Sequence, residues 1–332
     1  MAGEILDTLG KGATLAGKAA ARGLSEIKKS MKGPPVTAGI PGQSGLFYRK
    51  GNYLPFGRFL PFIEFFESQE TSRLEMGILR NLTLPASEKS AIKGFQNILT
   101  ANFSDAEGRL GEAISKDAQL ADAYYLLGCL SLENDKCKEA SEYIQKAILC
   151  QANLGQKLKK YLPSFRMTLA VTQNSAFALF PDLLGLNLIL SIVFRELGLR
   201  EEAIKILEQL LSVMPNQQTI LFFLSCYFWE TGNYSLIVDR LKEIQPESNI
   251  SILLHIMLAK AWQGIGDIYE SSNALKKVIA LKEEFDPYVI MDCRFYLAQA
   301  LQRAGSGEEA AGELQKVYSK APDYKNLAGR LG

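Results

Sequence analysis

Residues 184–215 read LGLNLILSIVFRELGLREEAIKILEQLLSVMP, and this stretch decides the fold. Gly198 lies between two segments with helical spacing of apolar residues, and glycine permits the left-handed backbone that ends a helix. Pro215 closes the stretch, because proline cannot continue a helix. The small residues Ser191 and Ala203 would let the two segments approach closely. The stretch therefore predicts a pair of antiparallel helices joined by a tight turn.

The same skeleton recurs along the chain. Each unit has a small residue at position 8, a small or aliphatic residue near position 20 and an aliphatic or small residue seven positions later. The units start near residues 87, 121, 184, 218, 252 and 291. Successive starts are 34 residues apart, except for a 29-residue insertion after the second unit and about five extra residues after the fifth. A regular period of this length indicates a repeat architecture.

These units resemble the tetratricopeptide repeat family from about residue 87 to residue 323. The resemblance implies an all-α fold, an α-solenoid of five to six helix pairs with an N-terminal extension. The first unit matches the pattern least well, and an alternative is that it is a capping helix pair. The chain departs from the family at position 4, which includes Asn187 and His255, and at Ile237, where position 20 is normally small.

Three segments lie outside the array, which also contains an insertion at about 155–183. Residues 1–45 predict a basic amphipathic helix followed by a flexible Gly-Pro linker. Residues 46–86 begin with a dense run of phenylalanine and tyrosine, which is costly to expose and should pack on the array. Residues 324–332 form a C-terminal tail.

The first helices of the family line an inner groove, mainly through positions 2, 5, 9, 12 and 13. Position 5 here is apolar or aromatic in five units, which argues against the family's carboxylate clamp of Lys and Asn at positions 5 and 9. An apolar strip favours a hydrophobic peptide or helix as partner. The alternatives are that tight coiling buries the strip or that residues 46–66 fill it. The predicted groove residues are Tyr125, Leu188, Ile192, Arg195, Phe222, Trp229, Ile256, Lys260, Phe295 and Gln299.

The insertion carries a basic cluster, which we define as Lys157, Lys159, Lys160 and Arg166. Basic side chains beside aromatic ones can bind an anionic surface. The alternative is a solvated extension of the preceding helix, followed by a loop packed on the array.

Composition excludes several kinds of chemistry. There is one histidine, His255, so a zinc site built on two or three histidines is impossible. Its position predicts a buried, hydrogen-bonded side chain. The five cysteines lack a close pair, and they predict reduced thiols rather than a disulfide framework. We therefore expect no catalytic residue, no cofactor and no metal.

Charge also limits the partners. The 37 basic and 36 acidic residues nearly balance, which makes nucleic acid an improbable ligand. The leading hypothesis is a cytoplasmic, non-enzymatic scaffold or adaptor that binds a protein. The alternative is an assembly factor or chaperone peripheral to a membrane, anchored by the basic residues 1–32.

Overall fold

A computed structural model describes residues 62–65, 83–100, 102–162, 167–172, 175–215, 217–281, 285 and 287–320. The predicted tail and linker, most of the aromatic-rich segment and the C-terminal tail lie outside these residues. The expectations for residues 1–32 and for the packing of residues 46–61 therefore stay predictions.

The described part of the chain is mostly helical. The helices are α1 (Ala86–Leu99), α2 (Phe103–Lys116), α3 (Ala121–Glu133), α4 (Cys137–Leu149), α5 (Gln156–Tyr161), α6 (Leu183–Glu196), α7 (Arg200–Val213), α8 (Gln218–Glu230), α9 (Tyr234–Leu241), α10 (Asn249–Ile265), α11 (Ile268–Ala280), α12 (Pro287–Arg303) and α13 (Gly307–Tyr318). A short 3-10 turn, Gln151–Asn153, precedes α5. The strands β1 (Phe62–Phe65), β2 (Met167–Thr172) and β3 (Ser175–Leu179) form one small sheet in the order β1-β2-β3.

Twelve of these helices form six helix pairs within the described residues, which confirms the predicted α-solenoid. Each first helix packs on the second helix of its own pair. The chain divides into two compact units, which we treat separately. Unit 1 comprises the described residues within 61–169 and 178–215, and it holds the pairs α1–α2, α3–α4 and α6–α7. Unit 2 comprises those within 170–177 and 216–332, and it holds the pairs α8–α9, α10–α11 and α12–α13.

Small residues allow the helices of a pair to approach closely, as predicted. A Cβ atom built on Gly128 would lie 2.5 Å from Cδ1 of Ile144 on the second helix of the same pair. A Cβ on Gly94, in the weakest unit, would lie 2.7 Å from Cγ of Leu110. The first unit therefore uses the same close packing as the other repeats. Ala140 and Ala203 at position 20 are fully buried.

The turns inside the helix pairs have left-handed backbone at position 15. Gly198, Gly232, Gly266 and Gly305 all have φ between 74° and 99°. In the second repeat this position is Asp135, with φ of 59°, and aspartate is one of the few other residues that tolerates this region. The glycine at this position is therefore favoured by the turn, but the turn does not strictly require it.

The insertion differs from the prediction. One of the two alternatives was an extension of the preceding helix followed by a loop, but the structure has the short helix α5 and then the strands β2 and β3. The sequence of β2, MTLAVT, is rich in β-branched residues, and only two residues separate β2 from β3 in the sequence. With six residues in β2 and five in β3, the strand pattern is too short to be recognised beside the longer helices.

Candidate functional site

The predicted groove residues at position 5 are buried in every repeat where the prediction placed them. No more than 4% of the surface of any of them is exposed. These residues are Tyr125, Leu188, Phe222, Ile256 and Phe295. They belong to the packed interior of their units in this structure, and their role in partner binding stays a prediction.

In unit 1 the first-helix face is covered. The Tyr125 hydroxyl donates a hydrogen bond to the carbonyl oxygen of Phe180 at 3.4 Å, and burial raises the pKa of this phenol well above 10. Strand β1 contacts α3, the helix that carries Tyr125. On the next first helix, Ile192 is fully buried, and Arg195 forms an ion pair with its neighbour Glu196 at 2.7 Å.

In unit 2 the corresponding face contains a lysine between two aromatic rings. The Lys260 ammonium lies 4.6 Å from the ring centroid of Trp229 and 5.6 Å from that of Tyr296. These three residues come from α8, α10 and α12, which are the first helices of three successive repeats. The Trp229 ring also lies 4.8 Å from the ring of Tyr234. The result is a cation–π stack, which we define as Tyr234, Trp229, Lys260 and Tyr296.

The residues around this stack are partly open. Trp229 and Gln299 are half-buried, whereas Lys260 is buried. Gln263, at position 12 of the α10 repeat, is also half-buried and donates to the Ser271 hydroxyl at 3.0 Å. The face therefore offers an indole, a buried ammonium and amide groups.

Two lysines of the basic cluster are paired with a carboxylate of the helical array. Lys157 and Lys160 are paired with the buried carboxylate of Glu88 on α1, the second at 3.2 Å. The Tyr161 hydroxyl donates to the same carboxylate. Burial alone would raise the pKa of Glu88, but the bonds from Lys157, Tyr161 and Lys160 outweigh it and lower the pKa to about 2. These lysines attach the insertion to α1.

Lys159 and Lys160 are both exposed, although Lys160 is also paired with Glu88. Arg166 lies outside the described residues. Contact of the cluster with an anionic surface therefore stays a prediction.

A second anchor for the insertion was missed in the sequence. The buried carboxylate of Asp122 accepts hydrogen bonds from the backbone N–H groups of Gly155, Lys157 and Leu158, the last two at 2.8 Å. Burial raises the pKa of Asp122, although these three bonds oppose that effect. The carboxylate caps the N-terminus of α5, where helical N–H groups lack partners. Position 2 of a repeat gave no local sign of this contact, which joins residues 33 to 36 positions apart.

The single histidine is structural, as predicted. His255 is buried, and its Nδ1 lies 2.8 Å from the carbonyl oxygen of Ser251. The five cysteines are free. In the described ranges, no three or more His, Cys, Asp or Glu side chains are placed to hold a metal ion. Within the same ranges, no helix is long and apolar enough to cross a membrane.

One segment of the chain matches a known sequence family. Residues 121–153, which contain α3 and α4, match the model of the family described as tetratricopeptide repeat. Residues 121–153 therefore form a tetratricopeptide repeat. The other described helix pairs have the same helix–turn–helix arrangement. Tetratricopeptide folds are typically protein-interaction modules. No curated protein matches the sequence.

Several solved tetratricopeptide structures are similar to this one. One is a Podosopora anserina protein whose TPR-like repeats are nearly identical to one another. It shares 20% sequence identity with this chain, and the alignment covers 61% of this chain and 96% of that chain, with a TM-score of 0.44. YrrB, a TPR protein with an unusual peptide-binding site, shares 14% identity over 65% of this chain and 94% of its own, with a TM-score of 0.41. A chain of the APC/C hetero-tetramer Cut9–Hcn1 shares 14% sequence identity with this chain. The alignment covers 80% of this chain and 46% of that chain, with a TM-score of 0.45.

Two residues of the cation–π stack, Tyr234 and Tyr296, were not among the predicted groove residues. Tyr296 follows position 5 directly, and Tyr234 begins the second helix of its repeat. A search restricted to positions 5, 9 and 12 could not find them. The available signal was the presence of an aromatic residue next to Phe295 and of another just after the turn at Gly232.

Proposed function

We propose that this tetratricopeptide-repeat protein is a non-enzymatic scaffold or adaptor in the assembly of a cytoplasmic complex. In this proposal a partner peptide or helix binds on the first-helix face of unit 2, around Trp229. The free cysteines support a reducing compartment such as the cytoplasm.

The cation–π stack is the observation that carries the proposal. Large aromatic side chains contribute much of the binding energy at protein interfaces, and tryptophan and tyrosine are enriched among the strongest contributors. The Trp229 ring contacts both the Tyr234 ring, at 4.8 Å between centroids, and the Lys260 ammonium, at 4.6 Å from the indole centroid. A ring that is already ordered loses little conformational freedom when a partner binds. Its half-buried state leaves part of the indole available for contact.

The decisive substitution is Trp229→Ala, because Trp229 is the most accessible aromatic residue among the predicted groove residues. Phe222→Ala would be less informative. Phe222 is fully buried and packs edge-on against Phe223 at 6.0 Å between ring centroids, so its loss would cost about 3–5 kcal/mol of stability.

The experiment compares protein capture from an extract of the source cells by tagged full-length wild type, Trp229→Ala and Tyr269→Ala. Tyr269 is the matched control, because it is an aromatic residue on a second helix with 74% of its surface exposed. We expect the wild type and Tyr269→Ala to retain the same partner, and Trp229→Ala to bind it about 30-fold more weakly, which corresponds to about 2 kcal/mol. Circular dichroism checks that each variant is folded. Equal affinity of the partner for both variants would place the site elsewhere.

A further inference from the structure

We propose that a cavity between α11, α12 and α13 in unit 2 binds a short aliphatic carboxylate. None of the described residues that line it belongs to the cation–π stack or to the predicted groove residues. The proposal goes beyond the partner site around Trp229, and its test does not depend on that site.

Residues of three helices in unit 2 line the cavity. Its volume is about 640 Å³, and sites for small ligands typically measure about 300–1,000 Å³. Leu297 and Leu301 of α12 are no more than 5% exposed, and Ile279 of α11 is half-buried. These side chains give the cavity an apolar floor.

Small side chains leave the space between the second helices open. Gly312 of α13 lines the cavity, and a Cβ atom built there would meet no atom within 4 Å. Ala280 of α11 also lines the cavity and is exposed. A larger side chain at position 312 would therefore have room, and it would occupy part of the cavity.

An arginine on the cavity wall carries a charge that the helix pair does not require. Arg294 occupies position 4 of its repeat, and the same position is uncharged in the five preceding units. Its side chain is 16% exposed, and its Nη1 group donates to Glu313 at 2.5 Å. A guanidinium has five N–H donors in a planar fork that matches a carboxylate. One bond to Glu313 leaves donors for a second carboxylate.

The charged residues of the wall set the charge of the ligand. Glu313 also accepts a hydrogen bond from the Lys316 ammonium at 2.6 Å. Burial alone would raise the pKa of Glu313, but the bonds from Lys316 and Arg294 outweigh it and lower the pKa, so this carboxylate stays ionised at neutral pH. Lys276 and Glu309 complete the charged lining, which has three basic and two acidic side chains. A ligand with one negative charge balances this lining, whereas a cation would add to its excess positive charge.

The apolar floor and the arginine together define the class of ligand. A carboxylate can form paired hydrogen bonds with a guanidinium, and an aliphatic chain attached to it can cover Leu297 and Leu301. Each methylene that is buried strengthens binding about fourfold. An inorganic anion would leave the apolar floor exposed to water.

The first experiment titrates the full-length wild type with sodium octanoate, sodium butanoate and octylamine hydrochloride in a calorimeter at neutral pH. We expect octanoate to bind at least about tenfold more tightly than butanoate, because its longer chain buries more methylenes. Octylamine should not bind, because its charge has the wrong sign. No binding of octanoate, or equal binding of octanoate and octylamine, would overturn the proposal.

The second experiment fills the cavity. Gly312→Leu should weaken octanoate binding at least about tenfold, because the new side chain takes the space of the aliphatic chain. Gly108→Leu is the matched control, since Gly108 is an exposed glycine of α2 where a Cβ also meets no atom within 4 Å. It should bind octanoate as the wild type does. Equal affinity of the two folded variants for octanoate would contradict the assigned site.

A third variant tests the contact with the carboxylate. Arg294→Gln removes the guanidinium and should weaken octanoate binding about tenfold. Unchanged affinity of this variant would show that Arg294 does not hold the ligand.

Nuclear magnetic resonance on the unaltered chain decides the matter if a variant does not fold. The methyl signals of Leu297 and Leu301 should shift when octanoate is added, because both side chains line the cavity. Shifts confined to other methyl groups would contradict the proposal.

Discussion

The first-helix faces of the two units use the same repeat positions and present different chemistry. In unit 1, positions 9 and 12 of the α3 repeat are Cys129 and Leu132, which carry no charge and are buried. In unit 2, position 9 of the α10 repeat is Lys260, and position 12 of the α8 repeat is Trp229. These two residues contact each other and leave part of the indole open.

The difference arises because the repeat restricts the residue type at some positions and leaves it free at others. Position 8 and position 20 must be small or well fitted, because two helices of one pair meet there. Positions 9 and 12 do not lie between those two helices, so their chemistry can change while the framework stays the same. The two units therefore share a framework and differ in the side chains at these positions of their first helices.

The largest expected effect tests the shared framework. Gly128→Leu in unit 1 and Ala259→Leu in unit 2 should each lower the free energy of unfolding by about 2–3 kcal/mol, because both positions are overpacked by a larger side chain. Gly312→Ala is the control, since a Cβ there meets no atom within 4 Å. It should raise stability by about 1 kcal/mol. Urea unfolding measures all three, and a neutral Gly128→Leu would show that the two helices are not closely packed.

The next effect tests the anchor that exists only in unit 1. Glu88→Gln removes the charge that pairs with Lys157 and Lys160, and it should lower the free energy of unfolding at pH 7 by about 2 kcal/mol. Glu112→Gln, at an exposed ion pair with Lys116, should have a smaller effect.

The Glu88 effect should also depend on pH in a defined window. Its pKa is lowered from 4.5 to about 2, so its contribution is complete above pH 4.5 and is lost as the pH falls from 4.5 toward 2. The difference between wild type and Glu88→Gln should therefore shrink over this range. A difference that stays constant down to pH 2 would exclude the ion pairs as its cause.

Unit 2 should respond to acid in a different window, through His255. Burial lowers the pKa of His255 below 6.5, and the nearby Lys277 acts in the same direction. Its contribution to stability is therefore complete above pH 6.5 and is lost as the pH falls below that value. His255 is the only histidine, so the difference between wild type and His255→Leu in urea unfolding between pH 7.5 and pH 5 measures its effect. His255→Leu should flatten the profile, and an unchanged slope would contradict the assignment.

The smallest effect tests the cation–π stack itself. A double-mutant cycle with Lys260→Met and Trp229→Leu should give a coupling free energy of about 0.5–1 kcal/mol in favour of the wild-type pair. The same cycle with Lys260→Met and Tyr269→Leu provides the control, and we expect it to be additive. Additivity in both cycles would mean that the ammonium and the indole do not stabilise each other.

Local patterns predicted the repeat starts closely, and the differences have simple causes. The repeat expected at 252 begins with α10 at Asn249, because Ser248 and Ser251 form a capping box there. The repeat expected at 291 begins with α12 at Pro287, and proline is well suited to the first turn of a helix. Both signals are visible in the sequence, but a fixed 34-residue register does not include them.

The sequence could not predict which charges meet. Lys157 and Lys160 looked like an open basic surface, because their partner Glu88 is about 70 positions away. The same holds for Asp122 and the backbone of α5, and for Lys260 between rings of two other repeats. Spacing within one helix determines which side of that helix is apolar. It carries no information about what a distant segment places against it.

The sequence by itself determined the helix pairs, their close packing and their turns, because each depends on residues within one 34-residue repeat. The tertiary structure alone decided what each first-helix face presents. In unit 1 it placed β1 against α3, and in unit 2 it brought Lys260 between Trp229 and Tyr296. The physical reason is that turns and small-residue contacts depend on near neighbours in the chain. Burial, ion pairing and cation–π contact depend on neighbours in space.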